Sequence, residues 1–408
     1  MPADAARRVA RQGGIGPGEP LRVLLIGRDS TLGDEGAEVA GDARARHLRY
    51  AQALRARRAG SEIRFIYYRP ARRGGRDEAP DAGLRLYPTL SRHRAAFVPD
   101  VARTLRRVLA GGWRPHLVSA QTPWEEGVAA WALARALGAR FVPQLHFDLF
   151  SPAWLAEHPL NRWRRLVAGR VLRGGDAVRT VSEGQRARVA RELGIPAGRV
   201  CTVPVGVRFT PAEGPPGRYR AALGAEPVEA PVVLFVGGFR AAKNLPLWIE
   251  TARRVAAEVP DVRFVLAGDG PEHAHVRARA AVTGIAERVL FLGAVGHERL
   301  PEIYAAADVF LLSSDYEGFP RVVIEACLAG VPTVSTDSPG SCELLGEGRG
   351  VLAPRGDAAA LAAGVTRLLR DEPARRAMGE AARAHVRATF GIEALVERLL
   401  GCWELAVA

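Results

Sequence analysis

The sequence predicts an α/β protein made of two Rossmann-like domains that face each other across a cleft. Three observations carry that expectation. The chain has 408 residues, enough for two ordinary domains with a core each. Short apolar runs alternate with helical stretches, the pattern of parallel sheets covered by helices on both faces. A stretch rich in Pro and Gly and without strand character, residues 209–231, divides the runs into two groups.

Residues 1–20 are basic without an apolar core, so they read as a disordered tail and not as a secretory signal. The first domain, residues 21–208, has strands at "LRVLLIG" (21–27), "EIRFIYY" (62–68), "HLVSA" (116–120), "RFVPQLHF" (140–147) and "DAVRTVS" (176–182). Ser182 and Gln185 form a capping box at the next helix. The second domain, residues 209–390, has strands at "PVVLFVG" (231–237), "VRFVLAG" (262–268), "RVLFLG" (288–293), "DVFLLSS" (308–314) and "VPTVST" (331–336). Ligands of such sheets bind beyond the carboxyl ends of the strands, so the cleft between the domains is the expected site.

Composition narrows the function. No run of about 18 apolar residues is present, so no transmembrane helix is expected. The four cysteines (Cys201, Cys327, Cys342 and Cys402) have no C-x-x-C spacing, which fits reduced thiols in a cytoplasm better than disulfides or zinc. The net charge of +13 is uneven: residues 1–200 carry +16 and residues 201–408 carry −3. That asymmetry suits an anionic membrane surface or an anionic acceptor. Two segments have basic amphipathic character. In 97–112, Phe97, Val101, Leu105 and Val108 recur at helical spacing; in 160–175, Trp163 and Val167 share a side. The plainer reading is that both stripes face the core. Nucleic acid is not expected, because the charge comes without a recognition motif or interleaved aromatics.

Of 57 basic residues, 56 are arginine and one is Lys243, within "FVGGFRAAKN" (235–244). A phosphate loop of the Walker type needs Gly before the lysine and Ser or Thr after it; here they are Ala242 and Asn244. Further along, "DVFLLSSDYEGFPRVVIEACLAGVPTV" places a polar loop and Gly318-Phe319-Pro320 between a strand and a helix. Pro320 suits the first helical position, and the free N–H groups of that helix start suit a phosphate. Glu325 lies in an apolar helical run and needs partners when buried: a ribose diol, or Arg321 one turn away. Glu317 could hold sugar hydroxyls from the loop, or be a solvated acid; Lys243 likewise could be a solvated surface lysine.

Together these residues resemble retaining glycosyltransferase family 4, whose fold is the two-domain GT-B arrangement. The resemblance rests on Glu317-"GFPRVVI"-Glu325, on "DVFLLSSDYEGFP" before the helix and on "ACLAGVPTV" after it. It implies that Glu317 contacts donor-sugar hydroxyls, that Glu325 binds the nucleotide ribose, and that the backbone of Gly318, Phe319 and Pro320 faces the sugar and diphosphate. "VGGFRAAKN" is similar to the family's V-G-R-x-x-x-x-K, so Lys243 and the loop at Gly237 are implied to reach the diphosphate. Gly238 stands where the family has arginine, and Arg240 is the candidate substitute. "VLAGDGPE" resembles the Gly-x-Gly-Pro turn that starts here at Gly268, whereas "SPGSCELL" has one glycine, Gly340, of the usual pair. In the first domain, Gly41 best matches the family's glycine before the first helix, and His146 matches a histidine that touches the donor sugar.

The implied reaction moves a sugar from a nucleotide-diphosphate donor to a sugar or lipid-linked acceptor, with retained configuration, for surface polysaccharide or glycolipid synthesis. No cofactor is implied. Without an Asp-x-Asp motif, and with Glu317 already assigned, no metal is expected. The resemblance also implies that a helix over 391–408 crosses back to the first domain. A cytoplasmic enzyme at the inner face of the cell membrane is expected. A sugar-nucleotide epimerase of the same fold and a natural-product glycosyltransferase are the alternatives.

Overall fold

The computed structural model describes residues 14–28, 32, 43–207 and 209–408, with Arg94 in its backbone only. The apolar runs form the strands of two sheets. In the first are β1 (Arg22–Gly27), β2 (Glu62–Tyr67), β3 (Glu78–Asp81), β4 (Leu84–Pro88), β5 (Leu117–Ala120), β6 (Arg140–Leu145), β7 (Val178–Thr180) and β8 (Val200–Thr202). Their order is β3-β4-β2-β1-β5-β6-β7-β8, parallel throughout except for β3 against β4. In the second are β9 (Val232–Val236), β10 (Arg263–Ala267), β11 (Val289–Gly293), β12 (Val309–Leu312), β13 (Thr333–Thr336) and β14 (Val351–Ala353).

The second sheet runs β11-β10-β9-β12-β13-β14, all parallel. This is the doubly wound order, with its reversal between β9 and β12. Both of these strands are buried along their whole length, as their unbroken apolar runs demand.

Four findings depart from the sequence expectations. Residues 14–20 are held and not loose: Ile15 N–H donates to the Val407 carbonyl (3.4 Å), and Arg58 donates to the Gly16 and Glu19 carbonyls (both 3.2 Å). The linker contains a helix, Pro216–Leu223. Its buried Arg220 donates to Asp308 Oδ2 at 2.6 Å, and that oxygen also accepts from Val232 N–H at 2.7 Å. The pair fastens the helix to the starts of β9 and β12. Gln185 does return to the chain, but to the N–H of Val181 (2.9 Å) and not that of Ser182, while Ser182 Oγ accepts from Gln185 N–H (3.2 Å).

The fourth departure separates the two amphipathic segments. In the helix Phe97–Val108, Phe97, Val101 and Val108 are buried, so its stripe faces the core. In the helix Leu160–Arg173, Leu160, Trp163 and Leu166 are 54%, 64% and 55% exposed.

The helix Ile392–Val407 packs on the first sheet. Leu399, Leu400 and Trp403 are buried in the same cluster as Leu25, Tyr50 and Phe65. Glu404 accepts ion pairs from Arg57 (3.0 Å) and Arg58 (3.2 Å).

Candidate active site

Lys243 and Glu317 come together where the order of the second sheet reverses. Lys243 lies in the loop after β9 and Glu317 in the loop after β12, and Lys243 Nζ sits 2.5 Å from Glu317 Oε1. Ser314 Oγ donates to the same carboxylate oxygen at 2.8 Å. Asn244 holds the lysine in place. It adopts the left-handed conformation (φ 44°, ψ 55°), which Asn tolerates better than most side chains. Its Oδ1 accepts from Leu247 N–H (3.2 Å) as the cap of the helix Leu245–Glu258, and its Nδ2 donates to Asp315 Oδ1 (2.8 Å). Ser313 Oγ adds a bond to the Lys243 carbonyl at 2.9 Å. One asparagine thus ends a turn, starts a helix and ties the two loops together.

Glu325 is 4% exposed, inside the helix Arg321–Ala329. Its Oε2 receives the Tyr304 hydroxyl at 3.0 Å. Burial and the neighbouring Glu325 carboxylate push the Tyr304 hydroxyl well above its usual range, so it stays a donor. The helix begins at Arg321; Pro320 keeps an extended ψ of 104° and is the cap, not the first helical residue.

The glycine turn is packed tightly against its surroundings. A side chain on Gly318 would overlap the carbonyl oxygen of His146, at the end of β6 in the other domain. Gly318 therefore lets the two domains touch. Phe319 is buried, with its ring 5.2 Å from that of Phe390. Pro320 is buried too, and a Cβ on Gly340 would lie 2.7 Å from the Gly318 carbonyl oxygen. These side chains and Gly340 have packing roles of their own. Gly268 (φ 148°) has no room for a side chain against the carbonyl of Gly237.

Gly238 is different: it is exposed, and a Cβ there would meet nothing nearer than Arg240 Nε at 3.6 Å. The Arg240 side chain lies across the position where the family's arginine would start. Gly41 lies outside the described residues.

His146 faces inward. Its Nε2 is 3.0 Å from Gln144 Oε1, which also accepts from Arg179 Nη1 at 2.9 Å. Arg179 can only donate, so the atom facing it is the amide oxygen and His146 Nε2 carries a proton. Burial, with Arg179 and Arg46 nearby, pushes the imidazole down to about 3. The ring is neutral, and Nδ1 is its acceptor. Tyr50, Gln144, His146 and Arg179 line a cavity together with Trp403 of the C-terminal helix.

The structure therefore joins Lys243 to Glu317 and sets the backbone of His146 against Gly318, the residue after Glu317. Glu325, within its helix, accepts from Tyr304. Residue types missed at the sequence level include Ser314, Asn244, Tyr304, Gln144 and Arg179. Only Asn244 had a local signal, an Asn directly before Leu-Pro at a helix start.

Sequence comparison matches residues 222–385 to the family described as Glycosyl transferases group 1, and residues 42–206 to the Glycosyl transferase 4-like domain. A GDP-mannose-dependent alpha-(1-6)-phosphatidylinositol monomannoside mannosyltransferase of Mycolicibacterium smegmatis is 31% identical over 328 residues, 76% of this chain and 82% of that one. The alpha-D-kanosaminyltransferase of Streptomyces kanamyceticus is 27% identical over 285 residues, 67% of this chain and 72% of that one. Among solved structures, sucrose-phosphate synthase from Thermosynechococcus elongatus has a TM-score of 0.78 at 24% identity, covering 94% of this chain and 98% of that one. HepE of Anabaena, solved with UDP and glucose, has a TM-score of 0.72 at 19% identity, covering 94% and 99%.

Two parallel-sheet domains of this order make a GT-B architecture. The chain belongs to glycosyltransferase family 4 and is an enzyme that transfers a sugar.

Proposed function

We propose that the enzyme transfers a sugar from a nucleotide-diphosphate donor to an acceptor hydroxyl, with retained configuration, in surface polysaccharide or glycolipid synthesis. The observation that carries this reading is the meeting of Lys243 and Glu317 at the reversal point of the second sheet. The diphosphate takes Lys243 away from Glu317 and gains Arg240. The freed carboxylate accepts from donor-sugar hydroxyls, Glu325 holds the ribose, and His146 offers Nδ1 to the sugar. The bond from the anomeric carbon to the diphosphate oxygen breaks, a bond to the acceptor oxygen forms, and the acceptor proton leaves with the departing diphosphate. Charge growing on that diphosphate is met by Lys243 and Arg240, each charge-assisted bond contributing roughly 1.5–3 kcal/mol.

Thermal stability with UDP, GDP and ADP identifies the base, since a ligand at 100 times its Kd adds about 2.7 kcal/mol. Mass spectrometry of products then checks the reaction. An altered sugar nucleotide formed without acceptor would replace this reading with epimerisation. A small-molecule acceptor is a second reading, supported by similarity to the kanosaminyltransferase and to a 2-deoxystreptamine glucosyltransferase of the same Streptomyces kanamyceticus. For the main reading the workplace is the cytoplasmic face of an anionic membrane. Among the described residues no helix is long and apolar enough to cross one.

A further inference from the structure

The helix Leu160–Arg173 has five arginines and no acidic residue. Three of the seven exposed large apolar side chains among the described residues are on it: Leu160, Trp163 and Leu166. Single exposed apolar residues are ordinary, but a cluster on one face is not. At 100° per residue, these three and the exposed Arg162 and Arg170 fall within an arc of about 160°. The other arginines are engaged by the protein itself. Arg164 donates to Asn161 Oδ1 (3.1 Å), Arg165 lies 5.3 Å over the Phe150 ring, and Arg173 donates to the Leu193 carbonyl (2.9 Å).

We propose that this face docks on an anionic lipid surface, with Leu160, Trp163 and Leu166 entering the headgroup boundary and Arg162 and Arg170 meeting lipid phosphates. The chemistry favours lipid over a second copy of the chain. A two-fold self-contact would set Arg162 and Arg170 against their own copies, whereas an anionic bilayer is complementary in charge and takes tryptophan at its interface. Position adds a purpose. Leu160 follows by three residues Glu157, whose Oε2 accepts from the Tyr316 hydroxyl at 2.6 Å, and Tyr316 precedes Glu317. Docking sets the mouth of the cleft at the membrane, where a lipid-linked acceptor is presented. That consequence rests on the proposed transfer reaction; the docking does not.

The test is co-sedimentation of the full chain with phosphatidylcholine vesicles, with and without phosphatidylglycerol. Binding is expected with phosphatidylglycerol only, weakening as salt rises. Arg162→Gln with Arg170→Gln should weaken it roughly 30-fold at low salt, about fivefold per arginine. Trp163→Glu should weaken it on the order of tenfold or more. All these side chains are exposed, so the variants should keep the wild-type melting temperature and transfer to a soluble acceptor. Equal binding to neutral vesicles, binding unchanged in the variants, or light scattering that shows a dimer lost in Trp163→Glu would each overturn the proposal. Phosphatidylglycerol-dependent binding by a protein that transfers no sugar would leave the surface standing and remove the transferase reading instead.

Discussion

Lys243 and Glu317 are each other's counter-ion, with side chains only 19% and 16% exposed. Removing either leaves a mostly buried charge alone, at a cost on the order of 1–3 kcal/mol; removing both leaves neither. Lys243→Ala and Glu317→Ala should therefore each lower the urea midpoint, and the double variant should recover much of the loss. Transfer should fall on the order of 100-fold or more in all three. Recovery of stability without recovery of rate separates a functional pair from a structural one. A side chain at Gly238 would meet only that of Arg240, which sets up an exchange. Arg240→Ala should raise the KM for the donor and leave stability unchanged, and adding Gly238→Arg should bring the KM back. His146 gives a pH dependence whose sign follows from burial. Its folded value is about 3, below the ordinary 6.5, so the unfolded chain takes up the proton first. The neutral ring's stabilisation is complete above about pH 6.5 and falls by about 1.4 kcal/mol per unit below it. Urea midpoints between pH 6.5 and 4.5 should decline more steeply in the wild type than in His146→Asn.

At the scale of elements, legibility follows burial. The ten strands read from sequence include β1, β9 and β12, which are wholly or almost wholly buried and therefore written as unbroken apolar runs. The four that were missed lie at or next to sheet edges. β3 ("EAPD") is an antiparallel edge strand with a proline, and β8 and β14 have three residues each. β4 ("LRLYP") is the neighbour of β3 and ends in proline. An edge strand has a neighbour on one side only and needs less apolar sequence. The helix Pro216–Leu223 was hidden for a different reason: its anchor is the buried ion pair of Arg220 with Asp308, 88 residues apart, which has no local pattern. The candidate site divides in the same way. Lys243 and Glu317 stood out by residue type and spacing, but the contact of Gly318 with His146 crosses domains and leaves only a glycine in the sequence. Gly318→Ala should force the loop after β12 away from the end of β6. The expected result is a loss of about 1–3 kcal/mol in stability, with a larger proportional fall in transfer than Gly238→Ala causes. Melting temperatures and initial rates of the two variants check this.

The whole molecule is two sheets joined by two crossings: the linker leads out of the first sheet, and the helix Ile392–Val407 returns to it. Leu399, Leu400 and Trp403 complete a core begun by β1 and β2, while the second sheet draws all its strands from one continuous stretch, residues 232–353. This order reverses the usual schedule of synthesis. On the ribosome, the first half of the chain emerges early yet lacks one wall of its core until the second half has passed. The second half can fold as it appears. Chaperone demand should therefore concentrate on the half made first, and a stop codon placed before Ile392 should leave a protease-resistant second domain attached to a degradable first one.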